Sequence, residues 1–359
     1  MAAVIHRIST ATVSEWETFW RESDQATYFH SPEWAAIWAE YWRGGVRPAA
    51  RKVLFSDGRE ALLPLCFERR LGGLLNRYVS SPEGTFGGWL SREPLNLDHA
   101  LALTDWLTRR QGRSLVWRLN PYDELCFEAG KQRGLECRSD ETYALALGAG
   151  VEAVLKGFKS RCRTDIRKAR EAGFVIQRAR CQSDWHDYHR VYQDSLRRWG
   201  NHQEEGYDRR LFDILFARRS PHIQLWLARR EGEVVSGNII FYARHHAVYW
   251  LGATLEQHLT SGVAKLLMSE IIQDACRAGY SWFDFNPSPT LSGVKFFKEG
   301  FGARALPAPV VYVDTRLKQL ARACAARLRI EGATHQLAPL PAPARASLNA
   351  PRPGFALSA

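Results

Sequence analysis

Apolar residues recur every three to four positions in several separate stretches of this chain, and each such stretch predicts an amphipathic helix. VSEWETFWRES and SPEWAAIWAEYW come first. In the second of them Trp34, Trp38 and Trp42 stand at i, i+4 and i+8 on one face, a spacing that suits core packing. RKVLF and ALLPLCFE then read as strands flanking the turn Ser56-Asp57-Gly58. Glycine-rich turns at LGGLLN and EGTFGGWLS lead to a helix near LDHALALTDWLTRRQG, the strand SLVWRLN and the strand-like YALAL.

A longer periodic stretch opens at Val151, where VEAVLKGFKSRCRTDIRKAREAGF predicts one helix. Leu155, Phe158, Cys162, Ile166 and Ala169 form its apolar stripe, and Lys156, Lys159, Arg163, Arg167 and Arg170 lie on the adjacent face. A helix near HDYHRVYQDSLRRWG and a polar connection precede IQLWLARREGEVVSGNIIFYARHHAVYWLGA, which reads as successive antiparallel strands turning at REGE and RHH. The helix SGVAKLLMSEIIQDACRAG, the strand YSWFDFN, the short helix GVKFFKEGFG and the strand APVVYV complete the pattern. Helices interleaved with short strands predict a mixed α/β (α+β) fold rather than a bundle. Beyond Asp314, TRLKQLARACAARLRI predicts a basic amphipathic helix, and the proline-dense LAPLPAPARASLNAPRPG a disordered tail. The expected division is 1–146, 151–314 and a terminal segment 315–359.

Length agrees with two cores, because 359 residues exceed what one core usually organises. No apolar run approaches the roughly 18 residues that span a bilayer, and the first twenty residues lack the apolar run of a signal peptide. A cytoplasmic location is therefore expected. Seven cysteines without a C-x-x-C pair predict reduced thiols. Lys plus Arg outnumber Asp plus Glu by 49 to 38, which favours anionic partners: phosphates, nucleotide-sugars, RNA or an anionic membrane face. The basic helix after Asp314 adds the expectation of peripheral contact with the inner face of the membrane.

Three groups of residues could carry chemistry. Ser261, Gly262 and Ala264 begin a helix just after a strand, where unpaired N–H groups suit phosphate, Gly262 permits close approach and Ala264 keeps the first turn uncrowded. Phe297 and Lys298 fall in a short helix after the strand WFDFN, and a lysine there can stabilise the oxyanion formed when an amine attacks an ester or thioester. Asp284 could orient that amine or take its proton. Arg197, Arg198 and Tyr207 form a basic and aromatic cluster after a helix.

The order of strands, helix, strand, helix and strand in the second half resembles the GNAT acetyltransferases. Leu259, Gly262 and Ala264 occupy the places of their pyrophosphate loop, Gln/Arg-x-x-Gly-x-Gly/Ala, with the first residue departing from the pattern. ATYFHSPEWAAIW, SPEGTFGGWL, FKSRCRTDIRKAREAGF and above all FDFNPSPTLSGVKFFKEGFGA resemble the FemAB branch, over roughly residues 25 to 313. That resemblance implies two GNAT-like units in tandem. The implied activity is transfer of an acyl or aminoacyl group to an amine of a cell-envelope precursor, of peptidoglycan or exopolysaccharide. Acyl-coenzyme A or aminoacyl-tRNA is the implied co-substrate, with no permanently bound cofactor. Phe297 and Lys298 match the pair that serves acyl transfer in the family. Arg197, Arg198 and Tyr207 match a region that holds the phosphates of a nucleotide-linked acceptor, a task to which arginine forks are suited.

Other readings have less behind them. Gly148-Ala149-Gly150-Val151-Glu152-Ala153 mimics a dinucleotide fingerprint, but no acidic residue ends the next strand, FVIQRAR. No G-x-S-x-G, H-E-x-x-H or metal-spaced Cys/His pattern is present, and His245-His246 reads as a turn. A non-enzymatic rival is a basic RNA- or membrane-binding protein that uses the 156–170 face and the 316–329 helix.

Overall fold

The computed structural model describes residues 3–70, 75–108, 114–199, 206–287 and 292–313. The predicted terminal helix and tail, 315–359, lie outside the described residues. The first half runs β1 (Ile5–Thr10), α1 (Val13–Glu22), α2 (Pro32–Tyr41), β2 (Val46–Pro48), β3 (Arg51–Phe55), β4 (Glu60–Leu63), β5 (Cys66–Arg70) and β6 (Leu75–Val79). It continues with α3 (Leu97–Thr108), β7 (Ser114–Arg118), α4 (Glu124–Gln132), β8 (Cys137–Arg138) and β9 (Glu141–Ala146). In the second half come α5 (Val151–Gly157), α6 (Ser160–Glu171), β10 (Val175–Arg178), α7 (Gln182–Trp199), α8 (Arg209–Ala217), β11 (Ile223–Arg230), β12 (Glu233–Tyr242) and β13 (His246–Thr254). The chain then forms α9 (Val263–Arg277), β14 (Trp282–Asp284), α10 (Ser292–Gly300), β15 (Arg304–Pro307) and β16 (Val310–Val313).

Three sheets result, with strand orders β1-β3-β4, β2-β5-β6-β7-β16-β8 and β10-β11-β12-β13-β14-β9-β15. The two larger sheets trade strands. From the first half, β9 enters the seven-stranded sheet between β14 and β15. From the end of the second half, β16 enters the six-stranded sheet between β7 and β8. A boundary between residues 146 and 151 therefore divides the sequence but not the sheets, and Met1–Asp314 group as one compact unit.

The seven-stranded sheet is covered on both faces, as the near-continuous apolar runs of β11 and β12 require. Trp226, Ala228, Ile240 and Tyr242 point into a core shared with α5, α6 and α9. Their alternates Leu225, Leu227, Ile239 and Phe241 point into another, shared with α1, α2, α7 and α8. In that second core Tyr28 stacks flat on Phe241, with ring centroids 4.5 Å apart, and the fully buried Trp34 and Trp38 pack beside them. An irregularity in the β12–β13 register takes Ile239 to Leu251 and Ile240 to Tyr249. The intervening Trp250 packs against Trp34, Trp38 and Phe241.

Four expectations from the sequence are corrected. Trp42 does not continue the buried face of Trp34 and Trp38; it ends α2 and is 49% exposed. The helix predicted from Val151 breaks at Phe158 and Lys159, both extended, because Lys159 N–H donates to Gly300 O at 2.9 Å instead of to its own helix. The polar connection after α7 contains α8, whose Leu211, Phe212, Ile214 and Leu215 are buried. His246 leaves the expected turn and opens β13 as a buried residue, which pushes its imidazole pKa down to about 3 and keeps it neutral.

Candidate active site

The parallel pairing of β13 with β14 lasts only from His246↔Trp282 to Val248↔Asp284, and β13 runs on to Thr254. Asp284 thus stands where the two strands part. It is fully buried, and protein donors occupy both of its oxygens. Thr142 Oγ1 donates to Oδ1 at 2.6 Å, the Asn286 N–H donates to the same oxygen at 2.6 Å, and Tyr122 O–H donates to Oδ2 at 2.5 Å. Burial raises the carboxyl pKa, and these hydrogen bonds and the Lys298 charge oppose that rise. Accepting from Asn286 caps a turn in which Asn286 adopts φ +58°, the left-handed region.

That turn holds the lysine. Lys298, on α10, is 2% exposed and donates from Nζ to the main-chain oxygen of Asn286 at 2.5 Å. Its Nζ also lies 5.6 Å from the centroid of the Tyr143 ring. Desolvation brings the lysine pKa down to about 8, against the opposing attraction of Asp284. Near neutral pH the site therefore holds an ammonium that loses its proton unusually readily. The adjacent α10 residues divide by helical period: Phe296 is 68% exposed, whereas the half-buried Phe297 turns onto Phe301, with centroids 5.2 Å apart, in the core.

Tyr122 reaches this site from the loop after β7, in the first half of the chain. Its hydroxyl is a large share of what keeps a buried carboxylate solvated by protein. Tyr122→Phe is expected to lower stability by about 1.5–3 kcal/mol, the usual range for a hydrogen bond to a charged group. Urea unfolding at neutral pH measures this, and an unchanged midpoint would show that the bond contributes nothing.

Ser261, Gly262 and Ala264 sit together at the start of α9. Ser261 Oγ donates to His258 O at 2.6 Å and accepts from Val263 N–H at 3.2 Å, which engages one of the helix's free donors. Gly262 is the N-cap, at φ +80°. The close approach its missing side chain permits is to the protein itself, since a Cβ there would meet Asp165 O at 2.6 Å. Lys265 pairs with Asp165 at 2.5 Å beside it. Gly262→Ala is expected to cost about 1–3 kcal/mol from left-handed strain and this clash, read as a lowered urea midpoint; no shift would mean that α6 yields freely. Gly262→Asp would consequently report on folding before it reported on phosphate. The same helix α6 serves both places: Asp165 lies against Gly262, and a Cβ on Gly300 of α10 would lie 3.7 Å from Cys162 Cβ.

Arg197, Arg198 and Tyr207 lie elsewhere. Arg197 pairs with Asp194 at 2.9 Å with its side chain 75% exposed, and Arg198 donates to Ser195 Oγ at 3.3 Å and reaches Thr254 O at 3.4 Å. Tyr207 donates to Glu83 at 3.1 Å and packs against Trp38 and Trp250. A carboxylate beside Tyr207 does not favour phosphate there. Sequence reasoning missed Tyr122, Thr142 and Asn286. An asparagine before proline at a strand end signals a turn at Asn286; nothing in the sequence ties Tyr122 or Thr142 to Asp284. Among the described residues no His/Cys/Asp/Glu cluster could hold a metal ion, and no helix is long and apolar enough to cross a membrane.

Residues 156–299 match the family model for the acetyltransferase (GNAT) domain. No curated protein matches the chain. Among solved structures the fold is similar to that of FemX, at 13% identity and a TM-score of 0.68, covering 88% of this chain and 99% of that one. It is also similar to L-PGS from Bacillus licheniformis, at 15% identity and a TM-score of 0.57, covering 89% and 98%. The matched segment spans Ser261, Gly262, Ala264, Asp284, Phe297 and Lys298. Residues 156–299 thus match an acetyltransferase (GNAT) domain, in a chain whose fold is similar to that of FemX.

Proposed function

We propose that the protein is an N-acyltransferase that moves an acyl or aminoacyl group from an activated donor to an amine of a cell-envelope precursor, with Lys298 at the reacting centre. The observation that carries this reading is a buried lysine with a pKa near 8, held by a main-chain carbonyl where two parallel strands part. In the reaction the amine lone pair attacks the donor carbonyl carbon, a C–N bond forms and the carbonyl oxygen becomes an oxyanion. Lys298, as an ammonium, stabilises that oxyanion. The C–S or C–O bond to the donor then breaks, the leaving group takes its electron pair and a proton, and the amine nitrogen sheds one.

Asp284 acts in this proposal as a positioning residue, because its oxygens are engaged by Tyr122, Thr142 and Asn286. The half-exposed start of α9 is the proposed contact for donor phosphate. Acyl-coenzyme A suits the GNAT domain, and aminoacyl-tRNA is the alternative donor suggested by the FemAB-like build. The envelope acceptor draws its support from the likeness to FemX. Arg197, Arg198 and Tyr207 stay in the proposal as acceptor contacts on weaker ground, since each already has a protein partner. Mass spectrometry of the envelope precursor pool, with and without the protein, tests the reading. An acyl or aminoacyl mass increment on an amine-bearing precursor that requires Lys298 is expected. An unchanged pool under both conditions would overturn it.

A further inference from the structure

Asn286 combines three observations. Its main-chain oxygen anchors Lys298 and its main-chain N–H caps Asp284. Its backbone is left-handed, at φ +58°, a conformation glycine adopts without strain, and yet the position carries a side chain. The oxygen of that side chain, Oδ1, is buried with no hydrogen-bond partner among the described residues. Among the described residues no N–H or O–H group reaches it, and a buried amide oxygen without a donor bears its desolvation uncompensated.

We propose that Asn286 Oδ1 binds the acceptor amine, accepting one of its N–H bonds and thereby orienting the nitrogen lone pair beside Lys298. This deepens the transferase reading and rests on it. An amide oxygen suits the task better than a carboxylate. It accepts from a neutral amine, which is the nucleophile, without the charge that would hold the amine as ammonium. The site selects primary or secondary amines, which carry an N–H, and discriminates against fully alkylated nitrogen, which does not.

The test uses the full-length protein labelled with ¹⁵N at asparagine, with L-lysine amide and its Nε-trimethyl derivative as probes. Both probes carry a positive charge on the side chain, and only the first has a side-chain N–H. The Asn286 carboxamide signal, assigned by its loss in Asn286→Gly, is expected to shift saturably with L-lysine amide. The trimethyl probe is expected to bind about tenfold more weakly, and Asn286→Gly, which keeps the backbone, to lose about tenfold in affinity for L-lysine amide. With acetyl-coenzyme A as donor, Asn286→Gly is expected to raise the KM for L-lysine amide by the same factor and leave the donor KM unchanged. Equal affinity of the two probes, no carboxamide shift, or an unaltered acceptor KM in the folded variant would each overturn the amine site. Saturable amine binding without any acyl transfer would instead overturn the transferase reading and leave the amine site standing.

Discussion

Replacement of Lys298 by methionine is expected to lower acyl transfer by about 10²- to 10³-fold, or roughly 3–4 kcal/mol of transition-state stabilisation, in a protein that still folds. Methionine keeps an unbranched chain in the space Lys298 fills, so the loss reports on the ammonium rather than on a cavity. The pH profile separates the role further. The folded pKa of about 8 lies below the ordinary lysine value of 10.5, so the ammonium is lost as pH rises through about 8. Transfer by the native protein is therefore expected to fall above about pH 8. The methionine variant is expected to lack that limb. The linked stability has the opposite sense: the unfolded chain binds more protons between about pH 8 and 10.5, so this group favours the folded state increasingly across that window. Full activity in folded Lys298→Met would remove the residue from the mechanism.

Trp34→Ala is expected to lower stability by about 3–5 kcal/mol, a large part of the total that a protein of this kind possesses. Trp34 is fully buried and its ring lies 5.1–6.0 Å from those of Phe29, Phe241, Trp38, Trp250 and Tyr28. Its indole N–H donates to Thr85 at 3.2 Å. Those neighbours come from both halves of the chain, so the cavity would open where α2 meets β12 and β13. Urea unfolding measures the change, with Trp42→Ala as the comparison. The exposed Trp42 is expected to cost far less, and equal losses would mean that Trp34 contributes no more than surface packing.

Much of this architecture is legible in the sequence because local period and tertiary burial agree. In α1, α2, α9 and the β11 to β13 meander, apolar spacing and observed faces coincide. The break at Phe158 and Lys159 is hidden because Leu155, Phe158, Cys162 and Ile166 keep a helical spacing across it. Its cause is distant: Lys159 pairs with Gly300, and Gly302 packs on Gly157 O, where a Cβ would come within 2.9 Å. Lys298 is visible through its motif, whereas its support is not. Tyr122 lies 162 residues from Asp284 and Thr142 lies 142 away, and no local pattern encodes pairs so remote. Gly262 shows the converse difficulty, since a glycine kept for close approach to a ligand and one kept for close approach to α6 look alike in a sequence.

The exchange of β9 and β16 sets an order on the protein's birth. As the chain leaves the ribosome from its N-terminus, the six-stranded sheet lacks β16 until Val313 has emerged, and β8, which pairs with β16, waits beside an empty slot. From the emergence of β7 until that of β16, the edge of β7 on that side is an unsatisfied row of amides, open to wrong pairing. The nascent first half therefore cannot finish its sheet alone, and the last described strand, arriving late, completes the sheet whose other strands were made first.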